Sequence, residues 1–145
     1  MSSLSIKILW VEDNIGDILL IKEAFEHAGF IHHLNVVDNG VDALDFLFRR
    51  GRYARASRPD LIILDINLPK KSGREIISEI KTDSTLSQIP LVVLTSSKQD
   101  KDVLDGFDPK RSLYLIKPLG FPALIDVAKQ IHNFWQSLAS PEQKP

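Results

Sequence analysis

The run Leu61-Ile62-Ile63-Leu64-Asp65 constrains this chain more than any other stretch. Four aliphatic residues lead straight into a carboxylate, with Pro59 before them and Pro69 after. A short continuous apolar run between such breakers predicts a strand buried on both faces, the kind found in parallel sheets. Strands of that kind deliver function at their C-terminal ends. Asp65 stands at that end. Burying a carboxylate without partners is costly or forces it to take up a proton, so Asp65 belongs at a mouth, among other polar groups.

The remaining chain alternates strand and helix signals. Residues 6–11 read as a strand ending in Glu12-Asp13-Asn14. A helix over 15–29 follows, with Ile18, Ile21, Phe25 and Ala28 at helical spacing and Gly29 as its stop. Residues 34–37 read as a second strand. Asn39-Gly40 can mark a hairpin, but Val41, Leu44, Leu47 and Phe48 continue at helical spacing, so the reading is strand to helix. Arg49, Arg50, Arg52, Arg55 and Arg58 surround Gly51 and Tyr53 in an irregular stretch, expected to be a solvated loop, with partner docking as the alternative. Residues 73–83 predict a helix that turns Ile76, Ile77 and Ile80 to the sheet. Pro90 precedes a strand over 91–94, which leads to Thr95-Ser96-Ser97. Ser96 or Ser97 suits the cap of a helix over 98–107, ended by Pro109. A fifth strand over 113–116 runs into Lys117-Pro118. Phe121, Leu124, Ile125, Ala128, Ile131 and Trp135 mark the last helix. The polar end, 138–145, is expected to be a disordered tail beyond a core of about 6–137.

This alternation predicts an α/β fold: a five-stranded parallel sheet in the order 2-1-3-4-5 with helices on both faces, in one domain spanning 1–145. In that order strands one and three are neighbours at the topological switch point. Glu12, Asp13 and Asp65 would then meet at one crevice, with Thr95 and Lys117 ending the strands beside them.

Composition narrows the function classes. The 145 residues carry a net charge of −1 and no cysteine. No bulk attraction to nucleic acid or anionic membrane follows, and disulfide and thiolate chemistry are excluded. No apolar run is long enough to span a bilayer and the N-terminus has no signal-peptide pattern, so a cytoplasmic protein is expected. His27, His32 and His33 flank a helix end without a paired carboxylate nearby in sequence and read as surface residues.

Converging carboxylates repel: a pair about 4 Å apart costs about 4 kcal/mol at an effective dielectric of about 20. A divalent cation relieves that, and all-oxygen ligands with room for water suit Mg²⁺. An aspartate there can act as a nucleophile and form an acyl phosphate. Lys117 supplies a positive point charge to a phosphoryl oxygen, and the Thr95 hydroxyl can donate a hydrogen bond to another. No base stands ready to activate water for rapid hydrolysis, so the site suits receipt of a phosphoryl group over turnover, and the chain is not expected to be an enzyme.

Glu12-Asp13, Asp65 with Pro69 and Gly73 behind it, Thr95-Ser96 and Lys117-Pro118 together resemble the signature of the CheY-like receiver domains of response regulators, over about residues 6–135. The resemblance implies that Asp65 is the phosphoacceptor, taking phosphate from a histidine kinase's phosphohistidine. It implies Mg²⁺ ligation by Asp13, Asp65 and the main-chain carbonyl of Asn67, with Glu12 acting through a water. It assigns Thr95, Ser96 and Lys117 to phosphoryl binding, Thr95 and Tyr114 to a switch pair, and a cis bond to Lys117-Pro118.

Residues 51–83 and Ile131-His132-Asn133-Phe134-Trp135 are further similar to stand-alone regulators paired with cyanobacterial and bacterial phytochromes. That narrower resemblance implies a light-sensing histidine kinase as donor and a homodimer through the face of the fourth helix, fifth strand and last helix. Asp108-Pro109-Lys110-Arg111 departs from the glycine turn common before the fifth strand. Trp135 is expected either to close the fold or to meet a second subunit. The chain ends too soon after its last helix for a DNA-binding module, so the output expected is partner binding. Two alternatives stand beside this: a phosphate-independent adaptor of the same fold, and an aspartyl-phosphate phosphatase. The phosphatase reading is weakened by Asn67, where such enzymes usually carry a second aspartate.

Overall fold

A computed structural model describes the backbone of residues 6–30 and 32–143, and the side chains of these except at 32 and 139–143. In chain order the elements are β1 (Ile6–Val11), α1 (Ile15–His27), β2 (His32–Val37), α2 (Gly40–Phe48), β3 (Leu61–Leu64), α3 (Gly73–Lys81), β4 (Leu91–Thr95), β5 (Ser112–Ile116) and α4 (Phe121–Gln143). The five strands form one sheet in the order β2-β1-β3-β4-β5, and every pairing is parallel. The expected fold is the observed one.

Period-two side-chain alternation splits the sheet into two faces. Leu9, Val11, Ile62, Leu64, Leu91 and Val93 turn one way, where α2 brings Leu44 and Leu47 and α3 brings Ile76, Ile77 and Ile80. Ile8, Trp10, Leu61, Ile63, Val92 and Leu94 turn the other way, against Ile21 and Phe25 of α1 and Leu124, Ala128 and Ile131 of α4. All four residues of β3 are buried, as a strand between two helical layers requires. Trp135 is half-buried against the second of these clusters, on the side of α4 that closes the fold.

Capping sets where the helices begin. Asn14 Oδ1 accepts from Asp17 N at the start of α1, and Asn39 Oδ1 accepts from Asp42 N at the start of α2. Asn39-Gly40 is therefore a helix start. Ser72 and Glu75 form a reciprocal capping box on α3, which satisfies two otherwise orphaned N–H groups. In the arginine-rich loop a 3₁₀ turn spans Gly51–Tyr53. Arg50 and Arg52 fold back onto Asp45 and Asp42 of α2.

Two expectations are corrected. The helix over 98–107 is absent; a 3₁₀ turn at Lys101–Leu104 stands in its place. Only Val103 of that turn is buried, so there is no apolar stripe to reward a full helix. Gly106 at φ 92° ends the segment. Side-chain bonds also hold it: Arg74 reaches Asp100 and Asp102 from α3 with contacts of 2.5–3.3 Å. The second correction concerns the tail, because α4 continues to Gln143. A helix already nucleated propagates at little cost. Residues 144–145 lie outside the described residues. Among those described, no helix is long and apolar enough to cross a membrane.

The Arg74 clamp gives a first prediction. Arg74→Ala should speed amide hydrogen exchange across residues 100–107, with little change in the unfolding midpoint, since exposed ion pairs add little to global stability. Unchanged exchange there would show that the loop is held by something else.

Candidate functional site

Three strand ends build the site, and backbone bonds carry each one residue past its strand. Glu12 N donates to Val37 O at 3.0 Å, Asp65 N to Val11 O at 3.2 Å, and Lys117 N to Thr95 O at 2.8 Å. The ladder thus fixes the three side chains on one rim before any of them interact. The β1–β3 register, Val11 opposite Leu64, puts Glu12 and Asp65 side by side. Behind Asp65 the chain turns so tightly that a Cβ on Gly73 would stand 2.5 Å from the Asp65 carbonyl oxygen. Only glycine fits there.

Lys117 Nζ gathers the acids. It lies 2.7 Å from Glu12 Oε1, 2.8 Å from Asp65 Oδ2 and 2.9 Å from Asp17 Oδ2. Glu12 is fully buried and Asp65 nearly so. Burial pushes the Glu12 carboxyl above its ordinary range, against the opposing pull of the nearby Lys117 ammonium and of a hydrogen bond from the Asn14 amide. Burial also works against the Lys117 charge. Its bonds to Asp17, Asp65 and Glu12 outweigh that and hold the ammonium above the usual lysine range. Three carboxylates around one ammonium leave the rim electronegative.

The other expected residues differ in burial and in partners. Asp13 follows Glu12 and is exposed. Asn67 is exposed and its amide donates to Asp65 Oδ1 at 3.2 Å. Thr95 is fully buried at the end of β4, and its Oγ1 accepts from Ser97 N at 3.3 Å. Ser96 is exposed between them. Tyr114 is half-buried, and its hydroxyl donates to the Ser97 carbonyl at 2.6 Å. Ser97 Oγ bonds Asp100 Oδ2, which joins this loop to the Arg74 clamp. The Lys117-Pro118 bond, expected cis, is trans, for no cis peptide is present among the described residues. Trans is the lower-energy form of an X-Pro bond by about 0.5–1 kcal/mol, and the turn after β5 is made at Gly120, φ 90°.

The residues fit a hard divalent cation. Every side-chain donor at the rim is a carboxylate oxygen. Glu12 Oε1 is buried and, though close to the ammonium, receives no well-aligned hydrogen bond. Such an oxygen suits a cation or its water shell. Among the described residues no three His, Cys, Asp or Glu side chains are arranged to hold a metal, as Glu12 and Asp65 are drawn to Lys117. His27 and His33 take no part.

Sequence reasoning missed Asp17 and the Arg74–Asp100–Ser97 chain. Asp17 lies in the first turn of α1, directly after the acid pair at the end of β1. That position was the available signal.

The comparisons agree with this geometry. Residues 8–129 match the response regulator receiver domain family. Response regulator Rcp1 of Synechocystis sp. is 39% identical over 128 residues, covering 88% of this chain and 87% of that protein. The structure of the phosphorylated cyanobacterial phytochrome response regulator RcpA superposes with a TM-score of 0.81 at 44% identity, over 93% of this chain and 96% of that one. The Mn(2+)-bound form of Rcp1 superposes with a TM-score of 0.79 at 38% identity, over 90% of this chain and 94% of that one. With an acid–lysine rim on a 2-1-3-4-5 sheet and relatives matched along most of its length, the chain belongs to the response regulator receiver domain family.

Proposed function

We propose that this receiver accepts a phosphoryl group on Asp65 from the phosphohistidine of a sensor kinase, and that it works in phytochrome signalling in the cytoplasm. The observation that carries the proposal is the convergence of Glu12 and Asp65 within 2.7–2.8 Å of the Lys117 ammonium. One Asp65 carboxylate oxygen forms the new P–O bond as the P–N bond to the donor histidine breaks. Lys117 brings its charge to a phosphoryl oxygen, and the Thr95 hydroxyl and Ser96 supply further hydrogen bonds. Mg²⁺, when bound, would offset the charge that builds on the phosphoryl oxygens. Asp13, Asp65 and the Asn67 carbonyl are its proposed ligands, with Glu12 acting through a water. The chain acts as an acceptor, not as a turnover enzyme.

The proposed output is a change of the face made by the Lys101–Leu104 turn, β5 and α4. Thr95 and Tyr114 both bond to Ser97, so a shift of Thr95 toward the phosphoryl group would be felt by the tyrosine. A second copy of the chain is the proposed occupant of that face. Phe134 and Leu138 line a groove there with Leu113.

The test is labelling by acetyl phosphate with Mg²⁺. Wild type should take up one phosphoryl group, and Asp65→Asn should lose at least about a hundredfold of the labelling rate, as loss of a reacting nucleophile does. Equal labelling of the two proteins, or steady turnover of a phosphomonoester, would overturn the proposal.

A further inference from the structure

Asp17 has no role in the phosphoryl transfer proposed above, yet it holds the same ammonium as the phosphoacceptor. Its Oδ2 accepts from Lys117 Nζ at 2.9 Å, while Asp65 Oδ2 accepts at 2.8 Å. The Asp17 backbone is pinned in the first turn of α1, where its N–H donates to the Asn14 side chain at 3.0 Å.

An ammonium has three N–H donors and no acceptor. Three carboxylate oxygens already stand within 2.9 Å of Lys117 Nζ. Two of its donors are committed, to Asp17 and Asp65, and Glu12 Oε1 stands close but out of line, so a phosphoryl oxygen must compete with carboxylates for the ammonium. The three differ in what release costs. The Glu12 side chain is 0% exposed, that of Asp65 8%, and that of Asp17 38%. A carboxylate that turns to water is rehydrated cheaply, whereas one that stays buried and unpaired is not. Asp17 is therefore the partner that lets go. Room for the movement exists: beside the pair lies a cavity of about 90 Å³, lined by Trp10, Leu20, Leu94 and Phe121 as well as by Asp17 and Lys117.

We infer that Asp17 is a positioning residue, a latch on Lys117 that competes with the phosphoryl group for the ammonium. The inference rests on Asp65 being the phosphoacceptor. It makes Asp17 a brake on phosphorylation, one set by the helix start and not by the strand ends. In the step that reads it, an Asp65 oxygen forms a P–O bond to acetyl phosphate. The P–O bond to acetate breaks, and acetate leaves with the electron pair.

The experiment measures the second-order rate of labelling by acetyl phosphate at saturating Mg²⁺, far below saturation in donor. Wild type, Asp17→Asn, Asp17→Glu and Glu23→Gln are compared, with Asp65→Asn as the blank. Glu23 is exposed on the same helix, so its variant removes the same charge away from the site. Asp17→Asn is expected to label about threefold to fivefold faster, the range a partly exposed ion pair supports. Asp17→Glu, which still reaches the ammonium, should return to the wild-type rate. Glu23→Gln should match wild type. Should Asp17→Asn not fold, Asp17→Ser, which suits a first helical turn, takes its place. An unchanged or slower Asp17→Asn overturns the latch, as does an equal gain in Glu23→Gln, which would mean net charge alone. If wild type itself takes no label, the phosphoacceptor reading fails and the latch falls with it. If wild type labels and Asp65→Asn does not, a null result at Asp17 counts against the latch only.

Discussion

Lys117→Met is expected to lower folding stability by about 3 kcal/mol near neutral pH, the low end of what breaking a buried ion pair costs. Methionine keeps the apolar stem and removes only the charge. Glu12 and Asp65 are then left buried with no counter-ion, their former bonds of 2.7 and 2.8 Å gone. The low end applies because Lys117 and Asp17 are partly exposed and water can reach them. The pH dependence separates this from a packing effect. Burial raises the folded-state pKa of Glu12 above its ordinary 4.5. A carboxyl raised in the folded state favours folding at low pH, and that contribution is lost as pH rises through the folded value. Without Lys117 only the Asn14 amide still opposes the effect of burial, so the folded value climbs further. The deficit of Lys117→Met should therefore shrink as the solution is made mildly acidic. Chemical denaturation of both proteins at neutral and mildly acidic pH measures it. An equal deficit at both would show that the lysine stem, not its charge, holds the site.

Gly40→Ala is expected to cost about 3 kcal/mol or more, the upper range for overpacking. An added Cβ would stand 2.1 Å from the Lys71 carbonyl oxygen and 2.5 Å from the Lys71 Cβ. Neither neighbour can swing aside. The Lys71 amide is bonded to the Pro69 carbonyl at 2.8 Å, and Gly40 N donates to that same carbonyl at 3.3 Å. The start of α2 thus clasps the loop that leaves Asp65. Alanine must push that loop away, so slower phosphoryl uptake should accompany the lost stability. Gly51→Ala is the matching control. Gly51 has φ 58° and nothing within 4 Å of a built Cβ, so alanine there meets backbone strain alone, about 1–2 kcal/mol. Denaturation midpoints of the two variants decide the matter. A Gly40→Ala protein no less stable than Gly51→Ala would contradict the clasp.

The acceptor rim was legible in the sequence because strand ends announce themselves. Aliphatic runs stop at Glu12, Asp65, Thr95 and Lys117, and parallel topology carries all four to one edge. What was not legible depended on side chains that bridge elements. Asp17 looked like an ordinary acid in a first helical turn, a position acids favour for the helix dipole alone. Its reach to Lys117 follows from how α1 packs against α4 on one face of the sheet, which no local pattern encodes. The segment 98–107 has the composition of a short helix. Its bonds to Arg74 and Ser97, and the burial of Val103 alone, decide against one. The expected cis bond at Pro118 came from resemblance, and Gly120 makes that turn by another route. Tyr114 shows the opposite case. Its spacing before Lys117 marked it, and its hydroxyl does reach the loop after Thr95.

Peptide mapping of wild-type protein phosphorylated by acetyl phosphate in the presence of Mg²⁺ tests the central claim most directly. The account predicts one acyl phosphate per chain, on Asp65, labile to base and absent when Mg²⁺ is chelated. A phosphoryl group found on Asp13, on a hydroxyl residue, or on no residue at all would contradict it.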